Sequence, residues 1–180
     1  MNKTKKITLS AMLVAIGTMF MVIGAVIEVM DLTAVAFASL LVTFAYIELG
    51  SPYTYLVWLC TSLATFLLYP GSLMWLMYLL IFGIYPILKG YIERLPRAFW
   101  WLIKLVFANV TFTLLVLGTE FIIGVPFFER DTLFGLPPIV VKAILWLMMN
   151  VMFVLYDIFI TIMVRYYFTK LRDRFKSLLK

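Results

Sequence analysis

Long apolar runs alternate with short polar interruptions along this chain, and the runs set the elements. The first covers residues 7–30 and ends in the polar turn Glu28-Val-Met-Asp31. The second, residues 32–48, is closed by Glu48-Leu-Gly-Ser-Pro52, where glycine punctuates and proline disfavours helix before it. The third, residues 53–68, is a little short and gives way to the tight turn Tyr69-Pro-Gly-Ser72. The fourth runs over residues 73–88 with Tyr85-Pro86 in its last turns, which predicts a kink. The most charged connection, residues 89–97, precedes a fifth run at 99–123. The longest connection, residues 127–138, closes on Pro137-Pro138 and leads into a sixth run at 139–166 and a basic tail at 170–180. Each run approaches or exceeds the roughly 20 residues that cross a bilayer as helix, and none alternates as a barrel strand would. The pattern predicts an all-α integral membrane bundle of six transmembrane helices in one domain, residues 1–180.

Within the first helix the small residues keep register. Ala11, Ala15, Thr18 and Ala25 fall in one narrow stripe, and Ser10, Gly17 and Gly24 make a second about a third of a turn away. In lipid, close backbone approach across small residues is a main source of packing energy. Two flat faces can hold two neighbours, one in the chain's own bundle and one a separate protein docked on the ridge Ala11-Met-Leu-Val-Ala15. The alternative is that both stripes pack inside the bundle. Ala34, Ala38 and Ala45 give the second helix a matching small surface.

Composition agrees with the pattern: 65% of residues are hydrophobic and 13% charged, where soluble domains carry about a quarter charged. The basic start could imitate a secretory signal, but its apolar run exceeds a signal's core and is read as an uncleaved first span. The net charge of +6 comes from basic residues flanking spans, which argues for orientation and against nucleic-acid binding. With both termini in the cytoplasm, Lys3, Lys5, Lys6, Lys89, Arg94, Arg97, Lys104 and the basic residues from Arg165 onward lie inside, and only Arg130 and Lys142 lie outside. Tyr53, Tyr55, Trp100, Trp101, Tyr166 and Tyr167 then fall near the inner interface. An even number of spans is required, and the expected location is the cell membrane as a multi-pass protein.

Candidate chemistry is sparse. One cysteine, Cys60, and no histidine exclude an internal disulfide and argue against a metal or a metal cofactor held by this chain alone. Lys104 and Asp157 lie at similar depth in the fifth and sixth helices, and intramembrane charges generally pair, so the expectation is a structural ion pair. A proton relay is the alternative, although no second carboxylate or histidine stands nearby. Towards the outer face, Lys142, Trp146 and Asn150 recur at i, i+4, i+8, with Glu120 near the end of the fifth helix. Glu28, Asp31, Tyr69, Trp75 and Tyr78 fall at the same level. Aromatic walls with a few placed polar groups make up a small-molecule site, and the expectation is that these residues bind a substrate. The competing reading is a Glu120–Lys142 pair within an aromatic belt. Acids outnumber bases in the outer segments, which weakly favours a neutral or cationic ligand, and residues 127–138 are long enough to act as a lid. Phosphate-loop, zinc-protease and serine-hydrolase signatures are missing, so no enzyme activity is expected. Any energy for uptake would come from a partner that hydrolyses nucleotide.

Six spans with a basic start leading into Ala11-Met-Leu-Val-Ala15 resemble the substrate-capture S components of energy-coupling factor transporters. The resemblance implies cytoplasmic termini and a small molecule, often a vitamin or its precursor, bound near the outer face. It also implies docking by the first helix, through Ala11, Ala15 and the neighbouring Thr18, onto a transmembrane coupling subunit driven by two cytoplasmic ATPases. No residue matches the binding signature of a riboflavin, thiamine, biotin or folate subunit. A second reading is a ligand-free membrane scaffold resembling the rod-shape protein MreD, with the small stripes serving permanent assembly. A third is an intramembrane enzyme using Asp157 or Glu120.

Overall fold

The first helix starts within the basic segment, ahead of the apolar run that was expected to open it. The computed structural model describes residues 2–27, 30–124 and 137–172, and in it α1 spans Lys3–Val26. Lysine is a good helix former, and the basic turn also ties down a neighbouring helix end. Lys6 Nζ donates to the Leu49 carbonyl at 3.2 Å, beyond the end of α2 (Asp31–Glu48). Gly50 then takes a φ of 88°, a left-handed turn open to glycine, and α3 (Ser51–Leu68) begins with Pro52 in its first turn. The first three helices therefore run up, down and up beside one another.

The fourth apolar run stays helical over Met74–Ile92 but loses regularity next to the expected kink, with Gly83 and Ile84 still in helical backbone angles. A short α4 (Met74–Met77) widens into a π-helical turn at Tyr78–Phe82, where the Gly83 N–H reaches back to the Tyr78 carbonyl at 2.7 Å. Pro86 sits in the first turn of the regular α-helical segment that follows, α5 (Tyr85–Ile92), where its missing N–H costs no helical hydrogen bond. Trp58 of α3 covers the irregular turn: its indole N–H donates to the Leu79 carbonyl at 3.2 Å, over Gly83, where a Cβ would overlap the indole ring. The helix α6 (Arg97–Gly118) ends in a π turn at Thr119–Ile123, and α7 (Pro138–Tyr166) in another at Tyr167–Leu171. Of the expected lid at 127–138, residues 127–136 lie outside the described residues, as do Glu28 and the tail beyond Arg172.

Five helical stretches are long and apolar enough to cross a membrane: Lys3–Val26, Asp31–Glu48, Met74–Ile92, Phe99–Phe121 and Ile139–Leu171. The remaining long helix, α3, matches α2 in length but carries more hydroxyls. Those hydroxyls point inwards. Thr54, Thr61, Ser62 and Thr65 are buried, while Leu56, Leu59, Leu63 and Leu67 on the same helix are exposed. Ser10, Ser39, Thr43 and Thr111 are likewise buried, and Ser10, Thr43, Thr54, Thr65 and Thr111 bond the carbonyl four residues back, so they need no partner across the interface. Hydroxyls inside and leucines outside suit hydrocarbon rather than water. No strand occurs among the described residues, and the chain is an all-helical, membrane-embedded protein.

Two hydrophobic clusters divide the interior. One joins α1, α2, α3 and the start of the fourth run around Met21, Val35, Val42 and Met74. The other joins the fourth run to α6 and α7 around Tyr85, Phe112, Phe153 and Ile160. The helix α7 is peripheral to both, with 11% of its most apolar stretch buried against 39–50% for the other four candidate spans.

Candidate functional site

The two stripes on α1 part company in the structure. Ser10, Gly17 and Gly24 turn inwards: a Cβ on Gly17 would stand 3.2 Å from Thr61 Cγ2, and one on Gly24 would overlap the Cβ of Ala34. Ala11 and Ala15 are exposed. Thr18 and Ala25 are buried, so the stripe as expected does not stay on one face. The cause is helical drift: a straight helix turns back about 20° per heptad, which carries Thr18 and then Ala25 progressively towards the Ser10 face.

Ala11 and Ala15 line a groove of about 720 Å³ between α1 and α3. Leu56, Cys60 and Ala64 form the α3 wall, and Thr18 lies at the base. Cys60 is a free, exposed thiol. Thr18 Oγ1 has no hydrogen-bond partner among the described residues. The groove exists because the short side chains of Ala11 and Ala15 leave space that the larger Ile7, Met19 and Ile23 border.

A second cavity, of about 660 Å³, lies between α2, the π turn at Tyr78–Phe82, α6 and α7. Phenylalanines and methionines dominate it. It is not built from the residues that the sequence pattern nominated, since Asp31, Tyr69, Trp75, Tyr78, Glu120, Lys142, Trp146 and Asn150 are all absent from its lining.

Those residues scatter instead of converging. Tyr69 is exposed beyond the end of α3, Glu120 is exposed on the π turn of α6, and Lys142 is exposed on α7. Tyr78 is wholly buried in the bundle, and Trp75 stacks edge-on against Phe66 at 4.8 Å. Asp31 opens α2. Trp146 and Asn150 do share a face of α7, but that face meets Asn109 of α6: the Trp146 indole donates to Asn109 Oδ1 at 2.6 Å, and Asn109 Nδ2 donates to Asn150 Oδ1 at 3.2 Å. The i, i+4 spacing thus pairs α7 with α6 through half-buried amides, a contact by which membrane helices associate. A lone asparagine in the middle of the fifth apolar run was the signal that could have exposed it.

At the end of the bundle that holds the N-terminus, Lys104 Nζ donates to both carboxylate oxygens of Asp157 at 2.9 Å. Lys89 joins them. Assigned by its charged surroundings to a connection, it lies instead on α5, 5% exposed, and donates to Asp157 Oδ1, to Thr161 Oγ1 at 2.8 Å and to Glu93 at 3.0 Å. The Tyr85 hydroxyl also donates to Asp157, at 2.6 Å. One carboxylate therefore ties α5, α6 and α7 together, with Glu93 bridging both lysines from the rim. Asp157 thus accepts from Tyr85, Lys89 and Lys104, a geometry that fixes three helices relative to one another. Among the described residues no group of histidine, cysteine, aspartate or glutamate could hold a metal ion.

No protein-family model, no curated protein and no solved structure matches this chain.

Proposed function

We propose that this chain is the substrate-capture subunit of an energy-coupled importer, similar in kind to the S components of energy-coupling factor transporters. It crosses the membrane six times, with α3 and the Met74–Ile92 stretch each forming one span and both termini in the cytoplasm. Lys3, Lys5, Lys6, Lys89, Arg94, Lys104, Arg165, Lys170 and Arg172 favour that orientation, because basic residues collect on the cytoplasmic side. It binds a small molecule and is not itself an enzyme. The observation that carries the reading is the division of α1: one small-residue face is filled by the chain's own helices, and Ala11 and Ala15 stand open in a groove with Thr18 at its base.

That open face docks onto a transmembrane coupling subunit, which two cytoplasmic ATPases drive. Small side chains there let a partner helix approach closely, and dispersion at short range supplies the packing energy. The cavity between α2 and α7 supports the capture role, since its volume falls within the roughly 300–1,000 Å³ of ligand pockets.

The test is affinity purification from native membranes of the wild-type chain and of an Ala11→Leu/Ala15→Leu variant. Recovery of a coupling subunit with paired ATPases, lost in the variant, is the expected result. Recovery of cell-wall or division proteins alone, retained or not in the variant, would replace this reading with a ligand-free scaffold.

A further inference from the structure

The cavity between α2 and α7 has an unusual polar inventory. Its lining includes three hydroxyl-bearing side chains, Thr33, Thr119 and Tyr156, and each has already spent its proton. Thr33 donates to the Met30 carbonyl at 2.7 Å, Thr119 to the Val116 carbonyl at 2.7 Å, and the Tyr156 hydroxyl to the Phe82 carbonyl at 2.8 Å. Among the described residues no charged side chain lines the space. A ligand bearing carbonyls, a carboxylate or a phosphate would therefore lose its hydrogen bonds to water and find no donor in exchange, a strongly unfavourable transfer.

What the cavity does offer is soft contact. Met77, Met148, Met149 and Met152 contribute flexible, polarisable thioethers, which adapt to irregular or mobile apolar shapes. Its mouth opens sideways. Phe37 of α2 is 52% exposed, and Met148 and Met152 of α7 are 58% and 48% exposed, so the edges of the opening belong to the surface that meets lipid. The peripheral packing of α7 leaves this side of the bundle the least closed.

We infer that the cavity takes a hydrocarbon chain, fatty-acyl or isoprenoid, which enters from the bilayer between α2 and α7 and leaves any polar head at the rim. As cargo, that chain would be what the proposed importer carries, and to this extent the inference rests on the transport reading. Binding itself does not depend on it.

The test uses full-length protein in phosphatidylcholine nanodiscs with two photoreactive probes, a diazirine palmitate and a diazirine farnesol, and maps adducts by peptide mass spectrometry. The expected result is that one probe labels α2 near Phe37 and α7 near Met148 and Met152 saturably, and its unlabelled form competes. Which probe does so distinguishes acyl from isoprenoid sources. Filling the space with Ala36→Phe reduces that labelling about tenfold, as a loss of one well-packed side-chain equivalent would. Labelling that never saturates and reaches the α1–α3 groove equally would mean general lipid contact and overturn the inference, whatever becomes of the variant. Failure to recover a coupling subunit in the purification above would sink the transport reading and leave saturable labelling standing.

Discussion

Asp157 on α7 accepts from Lys104 on α6 with both carboxylate oxygens, at 2.9 Å each, while Lys89 on α5 reaches the same carboxylate from the other side. The side chains of Lys89, Lys104 and Asp157 are 5–7% exposed. Water reaches the network only at Glu93, 37% exposed, so the charges of Lys89, Lys104 and Asp157 depend on one another.

Replacement of Asp157 is accordingly expected to damage the fold strongly. Asp157→Asn leaves two buried ammonium groups with Glu93 as their one carboxylate among the described residues, and losing one member of a buried pair costs about 3–5 kcal/mol. Thermal unfolding of the detergent-purified protein should report a large drop for Asp157→Asn and a partial recovery when Lys104→Met is added. Equal stability of wild type and Asp157→Asn would show that the network contributes nothing net to the fold.

The two faces of α1 predict opposite responses to the same kind of substitution. Gly24→Leu drives a side chain into Ala34 and Met74, an overpacking that costs about 1–3 kcal/mol. Ala15→Leu adds bulk on an exposed position and should change stability by no more than about 0.5 kcal/mol. Both numbers come from unfolding of the isolated protein, and a reversed order would mean that the assignment of the faces is wrong.

Orientation can be read by chemistry at the two ends. In a Cys60→Ser background, an impermeant maleimide added to intact cells should label Gly71→Cys, whose side chain would meet open space, and should spare Asn2→Cys until the membrane is broken. Labelling of Asn2→Cys in intact cells would invert the orientation and with it the cytoplasmic placement of the basic end.

The helices were legible because apolar runs in a membrane protein leave little choice of structure. The Ser10-Gly17-Gly24 stripe was legible because it starts on the buried side of α1 and the helical drift of about 20° per heptad leaves it there, whereas the stripe that begins at the exposed Ala11 lies at the edge and is carried across it. Lys89 was not. Its charged neighbours suggested a loop, whereas the helical segment with Pro86 in its first turn runs through it, and the long lysine stem reaches a carboxylate on another helix. Asn109 escaped notice as a single amide, and with it the real partner of Trp146 and Asn150. The cavity between α2 and α7 carried no signal at all. Phenylalanine and methionine line it, and the same residues cover any lipid-facing helix, so polarity pointed to an outer cluster that the fold disperses.

Docking through the open face of α1 is tested most directly by photocrosslinking in native membranes from a photoreactive residue placed at Ala15, with Val106 on the lipid-exposed face of α6 as the control. The expected result is an adduct from position 15 with one integral membrane protein that itself co-purifies with paired ATPases, and no such adduct from position 106. Lipid adducts alone from position 15, or the same protein captured equally from both positions, would contradict it.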